Sequence, residues 1–325
     1  MIHTISKIKN CVSWQFGVTI ILAMLLVICA GYSPAQAAAK KVQQKTFGSP
    51  EEAVKAIVDA VKSDDIKALH AILGPESEKV ISSGDDVADQ TFRARFVKAY
   101  EEKNKIETVN DSKAILSVGE KDWPLPIPIV KKGQKWSFDT KAAKTEILNR
   151  RIGGNELSTI KFCEAFVDAQ LEYALKDNDG DGLFEYAERF WSDPGKKNGL
   201  YWETKEGEEP SPLGPFAAEA YKAGYGKQKS SGEPRPYHGY YFRILKAQGK
   251  NAPGGAYDYV VKDSMIGGFA LVAYPAQYGN SGIMTFIVNQ DGIVYQKNLG
   301  KDTVKIAQAI RVFDPDKTWK KVEVQ

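Results

Sequence analysis

Residues 177–188, reading DNDGDGLFEYAE, constrain this chain more tightly than any other stretch. Acidic side chains stand at Asp177, Asp179 and Asp181, Gly182 follows, and Glu188 closes the run. That spacing is the D-x-[DN]-x-[DN]-G-x5-E pattern of a calcium loop. Calcium is a hard cation that takes about six to eight oxygens, which such a loop supplies at fixed intervals. The pattern assigns Asp177, Asp179 and Asp181 as side-chain ligands and Leu183 as a carbonyl ligand. Glu185 then acts through water, and Glu188 is the bidentate closer. Gly182 permits the positive-φ turn that swings the backbone round, and Phe184 takes the apolar position expected to anchor the loop to the core. A full EF-hand needs a second long helix, whereas residues 189–192 are followed by Asp193-Pro194-Gly195. The reading is a lone EF-hand-like loop with Ca2+ as a structural cofactor, without the paired hands of a sensor. The competing reading is a solvated acidic turn, since Asn, Asp and Gly are also turn residues.

The start of the chain points to export. Lys7 and Lys9 precede an apolar run centred on residues 18–28, and Ala35-Gln36-Ala37 offers small residues for cleavage after Ala37. Residues 1–37 therefore read as a secretory signal peptide, with an uncleaved anchor as the alternative. Losing Lys7 and Lys9 brings the net charge from +3 to +1, which gives no global footprint for nucleic acid and none for membrane beyond the leader. Cys11 and Cys29 leave as well, so Cys163 remains alone and no internal disulfide can form. Cys163 lies among apolar residues of an expected helix and reads as a buried inert thiol.

At 325 residues the default is two domains. Residues 38–46 form a polar tether. Residues 47–140 read as a helix-then-sheet domain. Ser49, Pro50 and Glu52 announce a helix carrying Val54, Ile57, Val58 and Val61 on one face. A second helix carries Ile66, Leu69, Ile72 and Leu73 and stops at Gly74-Pro75. A third spans 87–103 with Phe92, Phe96 and Tyr100 on one side. The period then changes to two, giving strands at 114–118, 125–130 and 135–139, the last two a hairpin. Pro124, Pro126 and Pro128 strip donors from one edge of the middle strand, which places it at the border of its sheet.

Residues 141–325 read as a second domain. A helix over 141–151 ends at Gly153-Gly154, and another, capped by Asn155, runs over 157–176 into the calcium loop. Arg150-Arg151 reads as a solvated helix end beside the C-terminal dipole. Aromatics crowd between Phe184 and Trp202, as a satellite core or a carbohydrate platform. A short helix over 216–223 and a loop over 224–236 follow. Strands at 240–245, 257–261, 269–274, 283–288 and 293–296 then form an antiparallel meander, closed by a helix over 303–312. The fold class is thus α+β.

Three helices followed by a curved antiparallel sheet resemble the NTF2-like cone, which implies a pocket and raises a small-ligand carrier. The long helix with its meander, through segments such as 269–275 and 278–282, resembles the globular part of type IV pilins and pseudopilins, although here a whole domain precedes the helix. As a whole, segments including 47–54, 123–130, 165–188, 236–241, 265–275 and 283–300 resemble a bacterial domain-of-unknown-function family, number 2950. That resemblance implies an exported bacterial protein and brings no catalytic residues with it. No Ser-His-Asp order, HExxH or G-x-S-x-G occurs, and His70 has no partner at ligand spacing. The reading is a periplasmic or secreted, non-enzymatic structural or interaction module meeting a protein or envelope partner. The alternatives are an enzyme assembled in space around His238, Tyr241 and Glu185, and the small-ligand carrier.

Overall fold

The computed structural model of the chain describes residues 43–178, 180, 182–223, 225 and 235–323. The expected signal peptide, most of the tether, most of the 224–236 loop, Asp179 and Asp181 lie outside the described residues.

Helix α1 (Pro50–Lys62) starts as its sequence dictates. The Ser49 hydroxyl accepts from Glu52 N at 3.2 Å, and the Glu52 carboxylate accepts from Gly48 N at 2.8 Å. Such a cap contributes about 1 kcal/mol. Ala53, Val54, Ile57 and Val58 are buried. Asp65 caps α2 (Ile66–Leu73), and Gly74, at φ +84°, ends it. A single turn, α3 (Glu78–Ile81), leads to α4 (Asp86–Glu102), which Asp85 caps. Phe96 and Tyr100 of α4 pack on the apolar cluster, but Phe92 stays 61% exposed, so only part of the expected aromatic side meets the sheet.

Antiparallel strands follow in the order β1 (Asn104–Asn110), β2 (Lys113–Val118), β4 (Ile129–Lys132), β5 (Lys135–Phe138), with β3 (Trp123–Pro124) also beside β2. Strand β1 is almost wholly exposed and polar, which is why no alternation betrays it in the sequence. The prolines do not put their strand at the border of the sheet. Strand β4 lies between β2 and β5, not at a border, because its paired residues begin only after Pro128. The prolines are kept out of the β4 ladder, which removes the conflict with their missing N–H groups.

Helix α5 (Thr140–Tyr173) is one continuous helix of 34 residues, capped by Asp139. The expected break at Gly153-Gly154 does not occur. Each interior glycine costs roughly 1 kcal/mol relative to alanine. Packing at both ends outweighs that cost. Ala143 joins one apolar cluster with α1, α2 and the first sheet, while Phe162, Cys163, Phe166, Val167 and Tyr173 join another. A fully buried side chain of this kind contributes about 1.5–3 kcal/mol.

The second cluster lies on an antiparallel sheet ordered β14 (Lys320–Lys321), β13 (Tyr295–Asn298), β12 (Met284–Asn289), β11 (Ala270–Pro275), β6 (Tyr240–Leu245). Two ribbons, β7 (Ala247–Gln248) with β8 (Tyr257–Asp258) and β9 (Val260–Val261) with β10 (Ser264–Met265), interrupt the meander, so the expected strand at 257–261 is split. Helices α6 (Gly214–Lys222) and α7 (Thr303–Ala309) complete an α+β fold. Among the described residues, no helix is long and apolar enough to cross a membrane.

Gly282 supports this sheet by absence of a side chain. An added Cβ there would lie 2.1 Å from the Tyr240 hydroxyl, which is buried and donates to Met284 O at 2.9 Å. Gly282→Ala is therefore expected to cost about 1–3 kcal/mol. A denaturant midpoint equal to that of the wild type would contradict this account.

Candidate functional site

The calcium pattern occupies the exit of α5. Asn178 Nδ2 donates to Tyr173 O at 2.7 Å and Lys176 O at 3.1 Å, tying off the helix end. Asp177 then gathers the loop: Oδ1 accepts from Gly180 N at 2.7 Å and Oδ2 from Gly182 N at 3.0 Å. Both glycines are left-handed, at φ +82° and +89°, as the sharp turn at Gly182 requires. Leu183 is exposed and Glu185 half-buried in the run that follows. The Glu188 carboxylate is ion-paired with Lys246.

The donor chemistry of the loop is all oxygen and fits a hard cation. Two of its six expected members, Asp179 and Asp181, lie outside the described residues, and among those described no group of three or more His, Cys, Asp or Glu side chains is placed to hold a metal. To serve as the closing ligand, Glu188 would exchange Lys246 for the cation.

The anchor of the loop differs from the expectation. Phe184 is 66% exposed. Its place is taken two and three residues on. The Tyr186 ring meets Phe269 at 4.9 Å between centroids, and Tyr186 N donates to Met265 O at 2.8 Å. Ala187 is buried and doubly tied to Gln170, which donates to Ala187 O and accepts from Ala187 N, both at 2.8 Å. Gln170 is wholly buried on the apolar face of α5, so the pair satisfies groups that water cannot reach. After Glu188 the chain forms no second helix; Trp191 pairs with Tyr201 instead. Phe190, Tyr201 and Trp202 pack on the core, which makes most of the aromatic run a satellite of it.

A second polar assembly lies where segment 79–85 meets α5 and the second sheet. Asp85 is 2% exposed, and three donors share its carboxylate. Ala88 N reaches Oδ1 at 3.1 Å, while Tyr225 Oη and Gly239 N reach Oδ2 at 2.8 and 3.0 Å. Arg151, expected to be a solvated helix end, lies in the helix interior. Its guanidinium donates to Lys79 O at 2.5 Å, Val80 O at 3.0 Å and Asn280 Oδ1 at 2.7 Å. Burial pulls the Arg151 pKa down, and Asp89 opposes this; burial likewise pushes the Asp89 carboxyl up, against its bonds from Ser83 and the charge of Arg151. Arg150 keeps the solvated role, paired with Glu146 at 2.6 Å.

The residues of the enzyme alternative are placed on separate elements. Tyr241 stands on β6 against Tyr274, Glu185 lies in the calcium-pattern loop, and His238 sits at φ +47° beside Asp85 and Tyr225. Tyr225 is pushed far up by burial and by Asp85, the wrong direction for a reactive phenolate. His70 is held within its own neighbourhood by Ser77, at 3.0 Å, and Glu78, at 3.4 Å. Burial also raises the Cys163 thiol, which leaves it inert.

His238 makes stability pH-dependent. Burial lowers its pKa, opposed by Asp85 and assisted by Arg95. The unfolded chain takes up a proton below about pH 6.5 while the folded chain resists it, so this contribution is complete above that pH and is lost as pH falls. Asparagine tolerates the left-handed backbone. His238→Asn is expected to flatten the fall in melting temperature between pH 7.5 and 5.5, and identical slopes in the two proteins would refute the assignment.

No curated protein and no solved structure matches this chain, so the likeness of its halves to NTF2-like cones and pilins rests on the sequence. A family described as "Protein of unknown function (DUF2950)" does match, over residues 44–322. That span takes in both apolar clusters, the loop at the end of α5 and the polar assembly around Asp85, and the chain belongs to this family.

Proposed function

We propose that this chain is an exported protein, periplasmic or secreted, that works as a non-enzymatic structural or interaction module with calcium ordering residues 177–188. The observation that carries the reading is the curl of the loop about Asp177, made by two hydrogen bonds to one carboxylate and two left-handed glycines. The calcium pattern puts Asp177 at the head of this turn, and a cation bound there would neutralise the acidic side chains that the pattern assigns to it. The loop is fastened to α5 through Gln170 and to β10 through Tyr186, so ordering it also fastens the exit of the long helix. The role that follows is a clamp rather than a signal.

The non-enzymatic side of the proposal draws on Asp85. Its carboxylate is buried and already accepts from three donors of the fold, and the neighbouring phenol is made less acidic. A general base needs a free lone pair within reach of substrate. The carrier reading is disfavoured by the packing of Ala114, Leu116, Ile129, Trp136 and Phe138 into the apolar cluster of α1 and α2. The small net charge of the chain without its leader favours a protein or envelope partner over nucleic acid.

Thermal unfolding in chelator and in calcium tests the metal. With a Kd of ~10⁻⁴ M, 10 mM calcium would stabilise the folded state by about 2.7 kcal/mol, roughly 5–8 °C in melting temperature. Asp181→Ala is expected to abolish the rise. Superimposable melting curves of the wild type in chelator and in calcium would end the proposal.

A further inference from the structure

We propose that Gly153-Gly154 is a hinge within α5, and that Arg151, Asn280 and Asp85 form a polar latch holding the two sides of the hinge together. The attachments of the helix change partner across these two residues. Before them, Thr140 Oγ1 donates to Leu73 O at 2.7 Å, Lys144 pairs with Glu76 at 3.2 Å, and Arg151 reaches Lys79 O and Val80 O. After them, Asn155 Nδ2 donates to Ser281 O at 2.9 Å, and Glu156 Oε1 accepts from Ile283 N and Met284 N at 2.9 and 3.0 Å. Between the two sets stand the glycines, and a Cβ on either would meet nothing within 4 Å. Packing therefore gives no reason for glycine at these positions, and glycine pairs are where helices bend.

Each side of the hinge carries its own apolar cluster. The hydrogen bonds that cross from one side to the other converge on segment 79–85. Asn280 Nδ2 donates to Ser82 O at 3.1 Å, Tyr225 Oη and Gly239 N donate to Asp85, and one Arg151 nitrogen serves Lys79 O and Asn280 Oδ1 together. Gly84, at φ +85°, seats the segment so closely that an added Cβ would come within 2.5 Å of the Gln277 amide. A polar seam opens more readily than an apolar one, because each separated group finds water. Opening uncovers segment 79–85 and His238 and leaves both clusters intact.

Hydrogen exchange read by mass spectrometry on the full chain tests this. Arg151→Met is expected to speed exchange about ten-fold or more at residues 79–85 and 150–156, and to leave residues 115–117 and 271–273 protected. Tyr225→Phe, which deletes one hydroxyl and decides the matter should Arg151→Met not fold, is expected to speed the same segments about three-fold. Adding Gly153→Ala and Gly154→Ala to either variant is expected to restore much of the lost protection. Equal acceleration in all segments, or none at 79–85, overturns the latch. Alanine substitutions that leave exchange at 79–85 unchanged overturn the hinge.

Discussion

One helix has to serve two separate apolar clusters. Helix α5 places Ala143 in the first and Phe162, Phe166 and Tyr173 in the second, and its 34 residues stay helical across a pair of glycines. Backbone preference argues for a break there, and burial at the two ends prevails over it. The rest of the molecule is arranged about this helix. The first sheet hands the chain to its start through Asp139, the second sheet lies along its later turns, and the acidic loop begins where it stops.

The polar groups of the fold are concentrated at two places along that axis. At the end of α5, Gln170 and Asp177 use side-chain amide and carboxylate groups to satisfy loop backbone that has no sheet to pair with. Midway along it, Asp85 and Arg151 do the same for helix caps and carbonyls around segment 79–85. A buried charge is tolerated only when hydrogen-bonded, and Asp85 accepts from three donors. The two places differ in consequence: the first fixes a loop, and the second joins parts of the molecule that pack separately.

Much of this was legible in the sequence, and the reasons for the misses are specific. Strong local signals carried through, as with Ser49-Pro50 at the start of α1 and the apolar segment 240–245, set off by turn residues, that forms β6. Positive φ at Gly182 also followed from the loop pattern. Strand β1 was missed because an exposed edge strand has no apolar face to alternate with. A glycine pair reports only its local cost, while the compensating packing, from Ala143 on one side and Phe162 on the other, lies several residues away. Pattern position alone points to Phe184 as the anchor, whereas the ring of Tyr186 is the one that meets Phe269. Apart from the cap that Asp85 offers Ala88, the partners of Asp85 and Arg151 lie far along the chain, where sequence carries no signal of them. Gln170 did leave one, an amide set among Phe166, Val167 and Tyr173 on a buried face.

Cys163 adds a point about timing. Its sulfur is wholly enclosed once α5 lies on the second sheet, in a setting where the thiolate is strongly disfavoured. Before that docking, the same thiol stands open to oxidants and to other sulfhydryls. Folding is thus the chain's own protection for this sulfur, and the interval between synthesis and docking is when adducts or cross-linked dimers can form. A nascent chain held open in an oxidising compartment would carry a vulnerability that the finished protein does not have.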